Sequence, residues 1–344
     1  MQTKYLTFGE LLLRFSNPHQ MRLMQDSRLV GNYGGSEANV AVSLATLGDN
    51  VEYVTRLPDN RVGHAGALAL RGHQVGVKHV IFGGNRIGAY YFEEAAGMRS
   101  AKVIYDRENS AYSELRPGMI PWREIFKDVD VFHASGITGA ISQNAADATF
   151  EALDIATEMD VTISFDINYR KNLWKYGADA KETLSKMLGY ADLVFADKIE
   201  FEFMTDNYSN IFDAQDANFK MDLDAYRRWF DDIHARWPRC KKWLMGIRNL
   251  VSSSHHTLTA ILWNDGEMLT TRIWDIPGII DPVGVGDAFS AALNHACATW
   301  PDNPQLCLDY PLAAAALKNS VPGDFNLITH EEIMETLRNA GIIS

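Results

Sequence analysis

The feature that most restricts this chain is a regular alternation of short apolar runs with helical patterns from about residue 129 onward. Val129–Ala134, Val161–Asp166, Leu193–Ala196 and Trp243–Gly246 read as strands, and Gln143–Glu158 reads as a helix between the first two. Strands joined through helices pair in parallel, and the crossovers place helices on both faces of the sheet. Val51–Thr55, the turn Leu57–Gly63 and a helix over Ala65–Leu70 repeat the unit earlier. The expected fold class is therefore α/β, three layers around a mostly parallel sheet, in one domain spanning 1–344. Ligands of such sheets sit at the C-terminal ends of strands. That marks Asn168 and Arg170 after Asp166, and Asp197 to Glu200 after Ala196.

Other stretches depart from the alternation. Tyr5–Phe15 reads as one early strand, broken at Gly9-Glu10. Ala89–Glu93 and Ser100–Tyr105 flank Gly97 like a hairpin, so about 10–33 and 84–110 are predicted to form a small β-sheet lid. Asn264-Asp265-Gly266 between extended runs signals a second hairpin. The polar stretch 205–220 reads as a surface insertion. Leu223, Tyr226, Trp229, Phe230 and Ile233 form a helical stripe for the core. The tail holds an Ala-rich helix over Leu312–Leu317 and a helix from about Thr329.

Two loops carry the chemistry. In Asp281-Pro282-Val283-Gly284-Val285-Gly286-Asp287-Ala288-Phe289, an apolar run over Ile276–Ile280 leads in and a helical pattern follows. Glycines let the backbone approach a ligand, and a helix N-terminus offers unpaired amides to phosphate. Asp287 among those amides suits proton acceptance from an attacking hydroxyl. The same residues also read as a plain strand-to-helix turn capped by an acid. A dinucleotide fingerprint is excluded, since Phe289 stands where its third glycine belongs. The second loop, Gly34-Gly35, enters a helix closed by Gly48. Asn39 lies early in it, either in a buried hydrogen bond or facing hydroxyls of a polyol.

A net charge of -12 without a Lys/Arg cluster argues against nucleic acid as a partner. Three scattered cysteines suit a reducing cytoplasm. Neither a signal peptide nor an apolar run long enough for a bilayer is evident, so a cytoplasmic, membrane-free protein is expected. A Walker-type phosphate loop is absent.

Taken together, Gly34-Gly35 with Asn39 and Asp281-x-x-Gly284-x-Gly286-Asp287 resemble the two signatures of the ribokinase-like (PfkB) carbohydrate kinases. Gly9–Arg14, Glu37–Ala41, Arg86–Tyr90, Tyr105–Arg107, Phe165–Trp174 and Pro322–Asn326 resemble the 2-keto-3-deoxygluconate branch. The resemblance implies ATP-dependent phosphorylation of that sugar acid on its terminal hydroxyl, giving 2-keto-3-deoxy-6-phosphogluconate and ADP. It implies Asp287 as general base and the amides of Gly284, Val285, Gly286 and Asp287 as anion hole. Gly34, Gly35, Asn39, Tyr90, Tyr105, Arg107, Asn168 and Arg170 would hold the sugar. Asp197, Gly246, Arg248, Gly284, Gly286 and Lys318 would line the nucleotide. Glu200 would organise Mg²⁺ through water, and Asp281 would face a monovalent cation such as K⁺. A homodimer or higher homo-oligomer through the lid is implied as well.

The residues agree in part. Arg107 and Arg170 offer planar forks to a carboxylate, which a neutral hexose does not need. Three positions depart from the family pattern: Asp197 for Asn, Pro282 for Thr or Arg, and Val285 for a small residue. They leave open a fructokinase or other ketose kinase, and a sugar-binding protein that has lost catalysis. A nucleoside kinase would have no use for the two arginines.

Overall fold

A computed structural model describes residues 2–207 and 221–344. In chain order its strands are β1 (Lys4–Phe8), β2 (Leu12–Ser16), β3 (Val30–Gly34), β4 (Asn50–Leu57), β5 (Val80–Phe82), β6 (Gly88–Glu93) and β7 (Lys102–Asp106). They continue as β8 (Val131–Ser135), β9 (Thr162–Asp166), β10 (Leu193–Asp197), β11 (Lys242–Ser252), β12 (His255–Asn264), β13 (Glu267–Thr270) and β14 (Trp274–Pro277).

The large sheet has the order β13-β12-β11-β10-β9-β8-β1-β4-β5, with β14 paired to β12. From β11 to β5 every pairing is parallel, and the three remaining strands add antiparallel at one edge. Side-chain alternation explains the layering. On β10, Val194 and Ala196 pack with helices Gln143–Glu158, Ala180–Leu188 and Leu223–Arg236. Leu193 and Phe195 face the other way, onto helices Val285–Thr299 and Pro304–Lys318. Tyr5, Val51 and Tyr53 on the central strands pack with helix Ser36–Thr46. A strand with both faces apolar must be covered on both, so the sheet is the middle of three layers.

The smaller sheet has the order β3-β2-β6-β7. The break at Gly9-Glu10 thus separates two strands in different sheets, rather than kinking one. Gly9 makes the turn against Glu37, where a Cβ would lie 1.9 Å from that carboxylate. The hairpin at Asp265-Gly266 forms with both residues at positive φ.

Two expectations change. The run Ile276–Ile280 is not one strand: β14 ends at Pro277 because Gly278 takes φ 73. The tail helix begins at Pro304 under an Asn303 cap and carries Pro311 inside it. An interior proline reads as a breaker, which hid its first half. Of the expected insertion, Thr205 closes helix Lys198–Thr205, and 208–220 lie outside the described residues.

Candidate active site

Helix Val285–Thr299 starts at Gly284, which takes φ 79 and has no side chain to cap the first turn. Helix Ser36–Thr46 starts the same way, at Gly35 with φ 134. Every other described helix of two turns or more is capped by a side chain. An uncapped first turn leaves amides and partial positive charge free for an anion. Val285 turns its side chain into the core beside Phe289, so its substitution spares the backbone amides.

The two helix starts meet through Asp287. Ser36 Oγ donates to its Oδ1 at 2.7 Å, and Asn39 Nδ2 donates to its Oδ2 at 2.7 Å. Burial raises the Asp287 pKa, while these two donors and the charges of Arg170 and Lys318 pull it back. A carboxylate oriented by two donors and poised by opposed effects is equipped to take a proton. The contact seen at Asn39 is the first of its two readings, a hydrogen bond, made here to Asp287 rather than to a polyol. Ser36 went unmarked in the sequence.

The strand ends supply the rest. Asn168 follows β9 at φ 39 and donates to Ser36 Oγ at 2.9 Å and Asp166 Oδ2 at 3.2 Å. It is only 4% exposed, so it stands behind Ser36 rather than on the cleft surface expected of a sugar ligand. Glu37 accepts from Ser135 at the end of β8, and burial pushes its pKa up to about 7. Asp166 is pushed up by burial and then by the charges of Glu200 and Asp287.

Arg107 gives its Nε to Glu10 Oε2 at 2.7 Å, and among the described residues its two Nη groups make no hydrogen bond. Its guanidinium lies 5.9 Å from the centre of the Tyr105 ring. Arg170 is exposed, and Tyr105, Glu200, Asp287 and Asp166 act on its charge. Tyr105 thus packs by Arg107, and its charge acts on Arg170.

Asp197 caps helix Lys198–Thr205 by accepting from Glu200 N at 2.9 Å. Glu200 returns a bond from Asp197 N at 3.0 Å and accepts Tyr169 N at 2.7 Å. An Asn would cap equally well, so the departure at Asp197 changes charge and leaves geometry alone. Burial first, then Asp197, raises the Glu200 pKa to about 8. Each Glu200 oxygen accepts one amide and keeps a lone pair, which suits an outer hold on hydrated Mg²⁺. A cluster of three or more acidic, His or Cys side chains able to cage a metal is absent among the described residues. Gly246 pairs with Asp197 across β10 and β11, and the exposed Arg248 feels the charges of Asp197 and Arg170.

Five other expected site residues make internal contacts. Lys318 is fully buried and donates to the carbonyls of Val321 and Gly323 at 2.9 and 3.0 Å, so it lines no nucleotide surface. Tyr90 spends its hydroxyl on Asp324 Oδ1 at 2.5 Å. Gly34 and Gly35 are glycines for internal reasons, since a Cβ on either would come within 2.2 Å of Asp324 Oδ1 or the Glu10 carbonyl. Asp281 meets a guanidinium, not a monovalent cation: Arg14 Nη2 donates to its Oδ2 at 2.8 Å.

An uncapped helix start, a carboxylate aimed across it and arginines beside it together define a site for transferring an anionic group to a hydroxyl. The pfkB family carbohydrate kinase model matches residues 2–224. The chain belongs to that family. A protein named 2-dehydro-3-deoxygalactonokinase from Haloferax volcanii is 30% identical over 353 residues, 99% of each chain. The crystal structure of 2-dehydro-3-deoxygluconokinase from Thermotoga maritima superposes with TM-score 0.88 at 31% identity, covering 98% of this chain and 100% of that one. Fructokinase-1 from Oryza sativa is 29% identical over 58% of this chain and 62% of its own length.

Proposed function

We propose that the chain transfers the γ-phosphoryl group of ATP to the terminal hydroxyl of 2-keto-3-deoxygluconate or its galactonate-derived epimer. The reading rests most on Arg107, beside Tyr105 with its Nη groups unbonded among the described residues, and on the exposed Arg170, whose charge Tyr105 and Asp287 act on, since both offer guanidinium edges to a substrate carboxylate. Two relatives of about 30% identity that match over nearly the full chain carry acid-sugar names. A neutral ketose leaves both arginines without a partner.

In this reading the carboxylate end of the sugar lies at the arginines and the terminal hydroxyl faces Asp287. Ser36 and Asn39 fix the carboxylate as that hydroxyl's proton leaves. The amides of Gly284 to Asp287 receive the transferring group, and their preset orientation needs no reorganisation as charge moves. Glu200 would hold hydrated Mg²⁺ through water, and the ion would supply charge neutralisation there. The smaller sheet acts as a lid that excludes water. Its free edges, β3 and β7, expose Val30, Val103 and Ile104, and two copies pair there.

The test is ADP release with Mg-ATP against 2-keto-3-deoxygluconate, its epimer, fructose, ribose and adenosine. The reading predicts turnover of the two acid sugars well above the rest. Preference for fructose or ribose would remove the carboxylate clamp, and silence on all five would remove the kinase assignment.

A further inference from the structure

Arg14 lies in β2 of the smaller sheet, only 2% exposed, yet its acidic partners Asp281 and Asp324 lie in loops outside that sheet. Its Nη2 donates to Asp281 Oδ2 at 2.8 Å, and its Nε lies 3.1 Å from Asp324 Oδ2. Asp281 and Asp324 are the two ends of a brace around the start of helix Val285–Thr299. Asp281 accepts Val283 N at 3.0 Å on the way into the helix, and Gly323 N at 2.9 Å from the loop after the tail helix. Asp324 in turn presses on the N-cap: a Cβ on Gly284 would sit 2.2 Å from its carbonyl oxygen. Tyr90, also from the smaller sheet, donates to Asp324 Oδ1. Lys318 holds the carbonyls of Val321 and Gly323 within the same loop.

The charges make a second point. An anion hole that must receive a phosphoryl group has two carboxylates, Asp281 and Asp324, packed beside its N-cap, and Asp287 within its first turn. Unbalanced, they would repel the incoming group in a setting where water screens little. Arg14 and Lys318 are the cations buried with them.

We propose that Arg14 is a positioning residue for phosphoryl transfer. Reaching across from the smaller sheet, it braces Asp281 and Asp324 and neutralises them, so that the amides of Gly284 to Asp287 accept the transferring group. The sheet that covers the sugar is thereby joined to the loop that receives the phosphoryl. Arg14 also does internally what a bound monovalent cation beside Asp281 would do. This proposal rests on the kinase reading above, and wild-type turnover tests that reading separately.

The experiment compares wild type, Arg14→Gln, Arg14→Lys, Asp324→Asn and the double variant Arg14→Gln/Asp324→Asn. Steady-state kinetics are taken below each variant's melting temperature, with folded protein confirmed by circular dichroism. Wild type should keep its rate when potassium salts are exchanged for tetramethylammonium salts. For Arg14→Gln, kcat should fall about 10²-fold, the scale seen when one anion-hole donor is lost. Its KM for the sugar should stay within about threefold, which marks a loss confined to the transition state. Arg14→Lys should recover part of kcat, and removing the Asp324 charge should recover part of it in the double variant. A merely structural role predicts lower melting temperatures with kcat per folded protein unchanged, and that result overturns the proposal. Strict potassium dependence of wild type would also overturn it, since a cation would then do the neutralising. Should Arg14→Gln not fold, Arg14→Lys decides, since it keeps the charge and loses the fork that spans both carboxylates: kcat should still fall, and a kcat equal to wild type there contradicts the brace.

Discussion

Ser36 shows at the level of single residues what a motif hides. Asp287 and Asn39 are legible because an acid at a glycine-rich helix start and an amide inside a helix are both unusual choices. A serine beside a glycine pair is ordinary, and only the fold reveals its hydroxyl on Asp287 Oδ1. The internal bonds of Lys318 and Tyr90 were hidden in the same way, since a sequence lists side chains but not their burial. Asp287 illustrates the consequence for pH. Burial raises its pKa, and a base works only when ionised, so activity is lost as pH falls through that raised value. Ser36 stabilises the charged form. Replacing Ser36 with Ala therefore moves the acid limb of kcat/KM to higher pH and lowers kcat/KM along that limb by about tenfold, the scale of one hydrogen bond to a charged group. An acid limb that stays in place in a full pH profile contradicts this role.

Elements were read best where periodicity was strong and worst where one residue broke it. Helix Gln143–Glu158 has the predicted bounds, because a polar start and an apolar stripe agree. The pairing of β2 with β6 across the smaller sheet had no local signal, since long-range partners leave none in a single sequence. The start of helix Val285–Thr299 gives the sharpest prediction at this scale. Gly284 needs both its positive φ and its missing Cβ. Gly284→Ala forces the N-cap away from the Asp324 carbonyl, costing about 1–3 kcal/mol in backbone strain. The expected outcome is a lower melting temperature together with a kcat loss of about 10²-fold, as the amides turn off target. A variant of native activity would show that the N-cap geometry is dispensable.

For the molecule as a whole, the alternation of strands and helices carried the three layers and the position of the site at the strand ends. The division into two sheets was less legible, because Tyr5–Phe15 looks continuous until Gly9 turns against Glu37. The proposed assembly rests on that second sheet. Its strands are short, and among the described residues its edges β3 and β7 have no further strand partner and carry apolar side chains. Sedimentation equilibrium of the pure chain is expected to give at least twice the 38.5 kDa chain mass. Charged substitutions at Val103 and Ile104 are expected to shift it toward the monomer. A monomer at micromolar concentration for the unaltered chain would contradict pairing through this sheet.

In the proposed mechanism Asp287 takes the proton from the sugar's terminal hydroxyl while the helix start receives the phosphoryl group. Asp287→Asn keeps the shape of the side chain and removes its basicity. ADP release with 2-keto-3-deoxygluconate is the most direct test. The account predicts that kcat falls by about 10³-fold in this variant, within the range for loss of a general base, with sugar binding retained. A variant that turns over at the wild-type rate would contradict the account and leave the proton acceptor to be sought elsewhere in the cleft.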